Sequence, residues 1–213
     1  MKKQKVHPLD RFGQWNTMDI GYFDGAIRFL EEAREFESTI NLKIQKLEKE
    51  CSDYNEEDRD SYIYHLTYDD RRNLAQQCVV AMLFSCMAVE SFINLYGVLR
   101  MGGEFYKRNI ERVGISQKLE IIIAVGTQQL MSKNEEIALL IRRMFDKRNQ
   151  LVHPKTSEVD SPVQMAQLRP IHHLDEAQSM VDDMKKFFEY FLLIDPDSRM
   201  WTPEKKGFVT KDS

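Results

Sequence analysis

The amino-acid sequence predicts an all-α fold, a helical bundle of about five helices, three of them long. Apolar residues recur at three- and four-residue spacing in several long segments, and no segment shows the strict alternation of a strand. With 42% hydrophobic and 30% charged residues, the 213-residue chain has the composition of an ordinary globular protein. We predict an N-terminal arm over 1–20, a bundle over 21–194 and a C-terminal tail over 195–213.

The charge balance and the cysteines narrow the class of protein. A formal net charge of -4 gives no global attraction to nucleic acid, so any such binding needs a local basic patch. Cys78 and Cys86 lie on one predicted helix, about 12 Å apart, too far for a disulfide. We expect small core residues of a reduced, cytoplasmic protein. The basic start at Met1–Lys5 has no apolar run behind it, so no secretory signal is expected.

The first long helix is predicted from near Asp24. Its inward positions are three or four residues apart: Ala26, Leu30, Ala33, Ile40, Ile44 and Leu47. Glu37 interrupts this stripe. The acidic stretch 48–60 is poor in apolar residues, so we predict a loop or an exposed helix end there.

The second long helix is predicted to start after Thr67, which forms a partial capping signal with Asp70. From 78 to 99 it is apolar almost all round and long enough to cross a membrane. Glu90 and Asn94 in its latter half, and the lack of a second such segment, favour a buried central helix with no membrane. Part of its surface could equally serve a dimer interface.

Shorter elements follow. Gly102 and Gly103 end the second helix, a short helix runs over 116–125, and Gly126 stops it. Segment 155–170 is predicted as a long loop, either a flap or a disordered stretch. The last helix is capped by Asp175 and directs six side chains inward: Met180, Met184, Phe187, Phe188, Phe191 and Leu192.

The helix between these elements ends in an unusual group of side chains. A capping box, Ser132-x-x-Glu135, opens it, and one continuous stripe contains Ile137, Leu140, Ile141, Met144, Phe145, Leu151 and Val152. Arg148 falls in the middle of that stripe and needs a partner, a cleft or a second subunit. Asn149 and His153 share its flank, and Pro154 ends the helix.

Two features near this helix end allow alternative interpretations. Glu90 and Asn94 share a face, and Glu90 either pairs with Arg148 or reaches solvent. The basic residues around the helix end are either a phosphate-binding patch or a solvated face favoured by the helix dipole. They are Arg142, Arg143, Lys147, Arg148 and Lys155.

Arg148-Asn149 followed by three residues and His153 resembles the active-site motif of the HEPN superfamily. The segment Ala88–Asn94 is similar to the preceding long helix of many such proteins, and the order of helices agrees over 74–193. Many HEPN domains are metal-independent ribonucleases that act as dimers. The resemblance therefore implies a homodimeric endoribonuclease with RNA as substrate, acting as a toxin or defence effector.

The chemistry of the motif fits this implication. Arg148 can bind phosphoryl oxygens with two hydrogen bonds, and Asn149 can orient the phosphate or the imidazole. His153 can act as base or acid. RNA cleavage needs both, so the resemblance implies a composite site with a histidine from each protomer. Glu90 and Asn94 would support the site, and Arg142, Arg143, Lys147 and Lys155 would bind RNA.

Two other interpretations stay open. The chain could be a non-catalytic dimerisation and nucleotide- or RNA-binding module, or a structural bundle in which His153 caps a helix and Arg148 forms an internal ion pair. No cofactor is expected, and His172 and His173 point apart, so no metal site is expected. The resemblance also implies an antitoxin or other partner protein. Some HEPN toxins have, two residues after the histidine, a tyrosine that a partner nucleotidyltransferase modifies; this chain has Lys155 there, which argues against that one mode of regulation.

Overall fold

The structure is a computed structural model that describes residues 19–132, 135–153, 173–196 and 198, without the side chain of His173. Its helices are α1 (Asp19–Glu50), α2 (Glu56–Met101), α3 (Gly103–Asn109), α4 (Ile115–Thr127), α5 (Glu136–Val152) and α6 (His173–Ile194). Because the described ranges contain no strand, the all-α prediction is confirmed there, with six helices where five were expected. The predicted arm up to residue 18, the loop at 155–170 and the tail beyond Ser198 lie outside these ranges.

The predicted start of α2 was wrong by more than ten residues. The chain turns at 51–55, and Asn55 caps a helix that begins at Glu56, because its side-chain oxygen accepts the backbone N–H of Asp58 at 2.9 Å. Thr67, which was expected to cap this helix, lies inside it. Its hydroxyl donates to the carbonyl oxygen of Ile63 at 2.8 Å, the way a threonine is satisfied in mid-helix.

The prediction that Gly126 stops α4 was also wrong. The helix runs on to Thr127 and ends at Gln128, whose φ of 59° supplies the left-handed cap conformation. Gly126 is buried under the ring of Tyr96, where a Cβ would come within 2.9 Å of ring carbons. By contrast, α2 ends as expected before Gly102, whose φ is 86°.

The chain forms two compact units, and α1, α2 and α6 each contribute residues to both. The unit that contains the Arg-Asn-x3-His motif, called the motif unit below, includes the described residues of 1–24, 84–154 and 182–213. Its core is aromatic where α2 packs against α6. Phe92 meets the rings of Phe187, Phe188 and Phe191 edge to face, with centroids 5.0 to 6.0 Å apart.

A buried polar contact joins the end of α6 to α2 within the motif unit. Asp195 accepts hydrogen bonds from the Arg100 guanidinium and the Tyr96 hydroxyl, and all three residues are buried. Burial raises the pKa of Tyr96, and the hydrogen bond to Asp195 raises it further. Because removing one partner would leave buried charge uncompensated, this contact holds the C-terminal end of α6 in place.

The second unit contains the described residues of 25–83 and 155–181. Buried apolar residues of α1 at the predicted spacing, including Ala26, Leu30 and Ile40, form part of its core. An ion pair of 2.8 Å between Lys43 and Asp70 links α1 to α2. The Arg34 guanidinium donates to the Gln178 side chain of α6.

The three cysteines are buried and form no disulfide, as the sequence predicted for Cys78 and Cys86. Burial raises the pKa of Cys78 to about 11 and of Cys86 to about 12. These thiols are therefore core side chains that are neutral at ordinary pH.

One described helix, α2, is long and apolar enough to cross a membrane by length and composition. Its most apolar 18-residue window is 56% buried within the protein, and the core helix of a soluble protein passes the same test.

Candidate functional site

Helix α5 places the motif at its C-terminal end. The residues Ile137, Leu140, Ile141, Met144 and Phe145 are buried, as the stripe predicted, while Val152 is exposed. The predicted capping box at Ser132 was wrong by three residues, because the helix begins at Glu136 with Glu135 as its N-cap and without a side-chain capping hydrogen bond. The Glu135 carboxylate instead accepts the backbone N–H of Ser132 at 2.8 Å, in the segment before the helix. The helix is thus fixed by its apolar face, and its last turn is left to carry polar groups.

The three motif side chains lie within that last turn and a half. Arg148 is half-buried, whereas Asn149 and His153 are exposed. The Arg148 guanidinium lies 3.4 Å from the side-chain oxygen of Asn149, at the long end of hydrogen-bonding distance. His153 ends the helix, and its backbone N–H donates to the carbonyl oxygen of Asn149 at 2.9 Å. Arginine, amide and imidazole therefore emerge on one accessible helix end.

Arg148 does not pair with Glu90. Among the described residues, the ion pairs of the motif unit join Arg100 to Asp195 and Arg143 to Asp183, and neither Arg148 nor Glu90 belongs to one. Both are nevertheless close enough to Cys86 to act on it, since the Arg148 charge lowers the pKa of this buried thiol and the Glu90 charge raises it.

Glu90 and Asn94 instead face a polar cluster formed with α3 and α4. The Asn94 side-chain oxygen accepts hydrogen bonds from the Lys118 ammonium at 2.9 Å and from the Tyr106 hydroxyl at 2.5 Å. Lys118 is buried, and burial lowers its pKa although the charges of Glu90 and Glu111 raise it. Asn94, predicted to support the motif, is therefore held by α3 and α4.

Sequence reasoning missed Lys118 and Tyr106 as the partners of Asn94. A signal was present, because Lys118 lies on the same helix face as the buried residues Leu119, Ile122 and Ile123. A lysine on such a face has to find an acceptor or a carboxylate, just as Glu90 and Asn94 have to find a donor.

The predicted RNA-binding residues have different environments. Arg142 is exposed and Lys147 is half-buried, whereas Lys155 lies outside the described residues. Arg143 donates from Nε to the Asp183 carboxylate at 2.8 Å and makes a second hydrogen bond to it from Nη2. The Arg143 side chain is 61% exposed and the Asp183 side chain 3% exposed. Arg143 thus joins α5 to α6, whereas Arg142 belongs to no ion pair among the residues that the structure describes.

No family model, curated protein or solved structure matches this chain.

The side chains at the end of α5 limit the chemistry that this site can perform. Within the described ranges, no group of three or more His, Cys, Asp or Glu side chains could hold a metal ion. A guanidinium and an imidazole on one accessible surface can bind a phosphoryl group and transfer a proton. A single copy presents one such imidazole at the motif.

Proposed function

We propose that this chain is a metal-independent endoribonuclease of the HEPN type that cleaves RNA at a composite site between two protomers. One observation carries the proposal: Arg148 projects from the core stripe of α5 without an ion pair among the described residues, beside Asn149 and one turn from the exposed His153. A structural arginine at such a position would be expected in a buried ion pair, as Arg100 is.

The proposed reaction uses the 2′-hydroxyl of RNA as nucleophile. One imidazole takes the 2′-hydroxyl proton, and the oxygen attacks the adjacent phosphorus. Arg148 binds the phosphoryl oxygens, where negative charge increases in the transition state. A second imidazole protonates the departing 5′-oxygen, which leaves a 2′,3′-cyclic phosphate and a 5′-hydroxyl end.

The need for two proton-transfer groups is the reason for a dimer. One chain offers only His153 at the motif, and a twofold axis beside α5 would bring the second histidine into the same cleft. Asn149, which is exposed on the same turn, would orient the phosphate or the imidazole. Arg142 would add positive charge for the neighbouring phosphates.

A mixed RNA pool incubated in EDTA tests the proposal. The wild-type chain should cleave it, whereas Arg148→Ala and His153→Ala should each lose about a hundredfold or more of the rate, the usual contribution of a general acid or base. DNA of the same sequence should not be cleaved, because it lacks the 2′-hydroxyl. The matched controls are Arg112→Ala and His65→Ala, two exposed residues outside the motif, which should cleave like the wild type.

One observation favours a second candidate, a non-catalytic dimerisation and RNA- or nucleotide-binding module. Among the described residues, no side-chain hydrogen bond orients the exposed imidazole of His153, whereas an efficient catalytic base is held in place. If the wild-type chain binds RNA through Arg148 but does not cleave it, this module replaces the nuclease. Absence of both binding and cleavage would contradict both functions.

A further inference from the structure

The start of α2 exposes a group of large side chains away from the motif. Five of the twelve large hydrophobic residues exposed in the described ranges lie within 54–68. They are Tyr54, Tyr62, Tyr64, Leu66 and Tyr68. Tyrosine is enriched at protein interfaces because it offers a rigid apolar ring with a polar end at little entropic cost.

Within this group, one face of the helix has a regular pattern. Glu57, Tyr64 and Arg71 are seven residues apart, so they lie almost directly in line on an α-helix. Tyr68 continues the line, and all four side chains are exposed. The rings of Tyr64 and Tyr68 meet edge to face with centroids 6.1 Å apart. We call these four residues the tyrosine face.

The charge on the tyrosine face changes sign from one end to the other. Glu57 stands seven residues before Tyr64, and Arg71 stands seven residues after it. A twofold axis through Tyr64 would therefore set Glu57 of one helix against Arg71 of another that runs in the opposite direction. The same axis sets the exposed Asp60 against Tyr68, whose hydroxyl can donate to a carboxylate.

We propose that the tyrosine face binds the tyrosine face of a second copy of this chain, antiparallel, about a twofold axis at Tyr64. The face is about 21 Å long at the rise of an α-helix, enough for a central pair of Tyr64 rings flanked by one Tyr68 from each copy, between two ion pairs. Arg71 Nε already donates to the Thr67 hydroxyl at 3.0 Å, which uses one of the five N–H donors of a guanidinium and fixes its stem.

Charge complementarity is the reason for choosing a second copy over RNA. Exposed tyrosines can stack on bases, but Glu57 and Asp60 on or beside this face would repel phosphates. In a reversed copy of the same face, Arg71 meets Glu57, and the Tyr68 hydroxyl meets Asp60. A helix with an acidic and a basic end complements its own reversed copy.

Sedimentation equilibrium on the full chain tests this, with purified protein from about 1 to 100 µM to cover common homodimer affinities. Tyr64→Ala with Tyr68→Ala should halve the mass of the wild-type assembly. Phe105→Ala, which removes an exposed aromatic residue elsewhere, should leave the mass unchanged. Circular dichroism checks that each variant keeps its helix content.

A charge exchange makes the test specific for antiparallel pairing. Glu57→Arg and Arg71→Glu alone should each weaken self-association about tenfold or more, because like charges then meet. Both changes in one chain should restore it to within about threefold, since the opposite charges meet again. The double variant also controls for any effect of Glu57→Arg on the start of the helix.

Three outcomes would overturn the proposal: equal masses for the wild type and the tyrosine variant, no restoration by the charge exchange, or a wild-type monomer whose binding of fluorescent single-stranded RNA needs the tyrosines. The readout is mass rather than cleavage. A dimer about α5 would be shared by the wild type and the tyrosine variant and would leave the ratio of their masses unchanged, so failure of this proposal and failure of the proposed nuclease are distinguishable.

Discussion

Arg142 and Arg143 are neighbours whose environments differ more than their sequence suggests. Both were predicted to bind RNA, yet the Arg143 guanidinium forms two hydrogen bonds to the buried carboxylate of Asp183. Arg142 is exposed. For a single arginine, a carboxylate that pairs with the guanidinium gives it a structural role, and an unpaired guanidinium stays available to a ligand.

This difference gives a prediction about stability. Arg143→Ala should lower the free energy of unfolding by about 1–3 kcal/mol, because it leaves the Asp183 carboxylate buried without its guanidinium. Arg142→Ala should change it by less than about 0.5 kcal/mol, as is usual for an exposed side chain. Urea denaturation measures both values. Equal losses in the two variants would contradict the assigned roles.

The same pair of variants separates stability from RNA binding. Under the proposed function, Arg142→Ala should weaken RNA binding and lower its salt dependence, since one phosphate contact is lost. A variant that keeps full stability and binds less RNA identifies a contact residue. Arg143→Ala has to be compared at a temperature where it remains folded.

At the scale of helices, the ends were harder to predict than the faces. Most of the inward positions predicted for α1, α5 and α6 are buried, because periodicity reflects burial directly, while Ile44 and Leu192 are half-buried and Val152 is exposed. The start of α2 and the end of α4 were wrong, because Asn55 and Gln128 provide caps that compete with stronger-looking signals at Thr67 and Gly126. The sequence alone does not distinguish a threonine or glycine that ends a helix from one that packs inside a helix.

Gly126 allows a test of how helix propensity and core packing compete. Gly126→Ala should destabilise the chain by about 1–3 kcal/mol, because the new Cβ would overlap the ring of Tyr96 and overpack the core. Helix propensity alone predicts the opposite, a gain of about 1 kcal/mol.

Gly114→Ala is the matched control, since a Cβ there has no heavy atom within 4 Å. Gly114 is the N-cap of α4, where alanine is less favourable than glycine, so thermal unfolding should show a large drop in midpoint for Gly126→Ala and a smaller one for Gly114→Ala. A midpoint above that of the wild type for Gly126→Ala would mean that Tyr96 can move aside.

For the whole molecule, sequence reasoning gave the fold class and the position of the motif, but not the contacts between distant helices. It placed Arg148, Asn149 and His153 together at one helix end and left their accessibility open; in the structure Asn149 and His153 are exposed there and Arg148 is half-buried. It could not decide the partners of Glu90 and Asn94, because a helical face gives a direction and not the identity of the facing helix. Lys118 and Tyr106 reach Asn94 only after α3 and α4 fold back against α2.

The labelling rates of the buried cysteines report how often each unit of the chain opens. Cys86 belongs to the motif unit, and Cys51 and Cys78 belong to the second unit. Thiol reagents attack the thiolate, so a thiol buried in the native chain should react only during transient opening. At pH 8 we expect slow labelling of all three cysteines, by about a thousandfold or more for an opening free energy near 4 kcal/mol, and rapid labelling in denaturant. Mass spectrometry of the labelled peptides would then give a labelling rate for each unit separately. Equal rates for Cys78 and Cys86 mean that the two units open together. Unequal rates mean that one unit opens while the other stays closed.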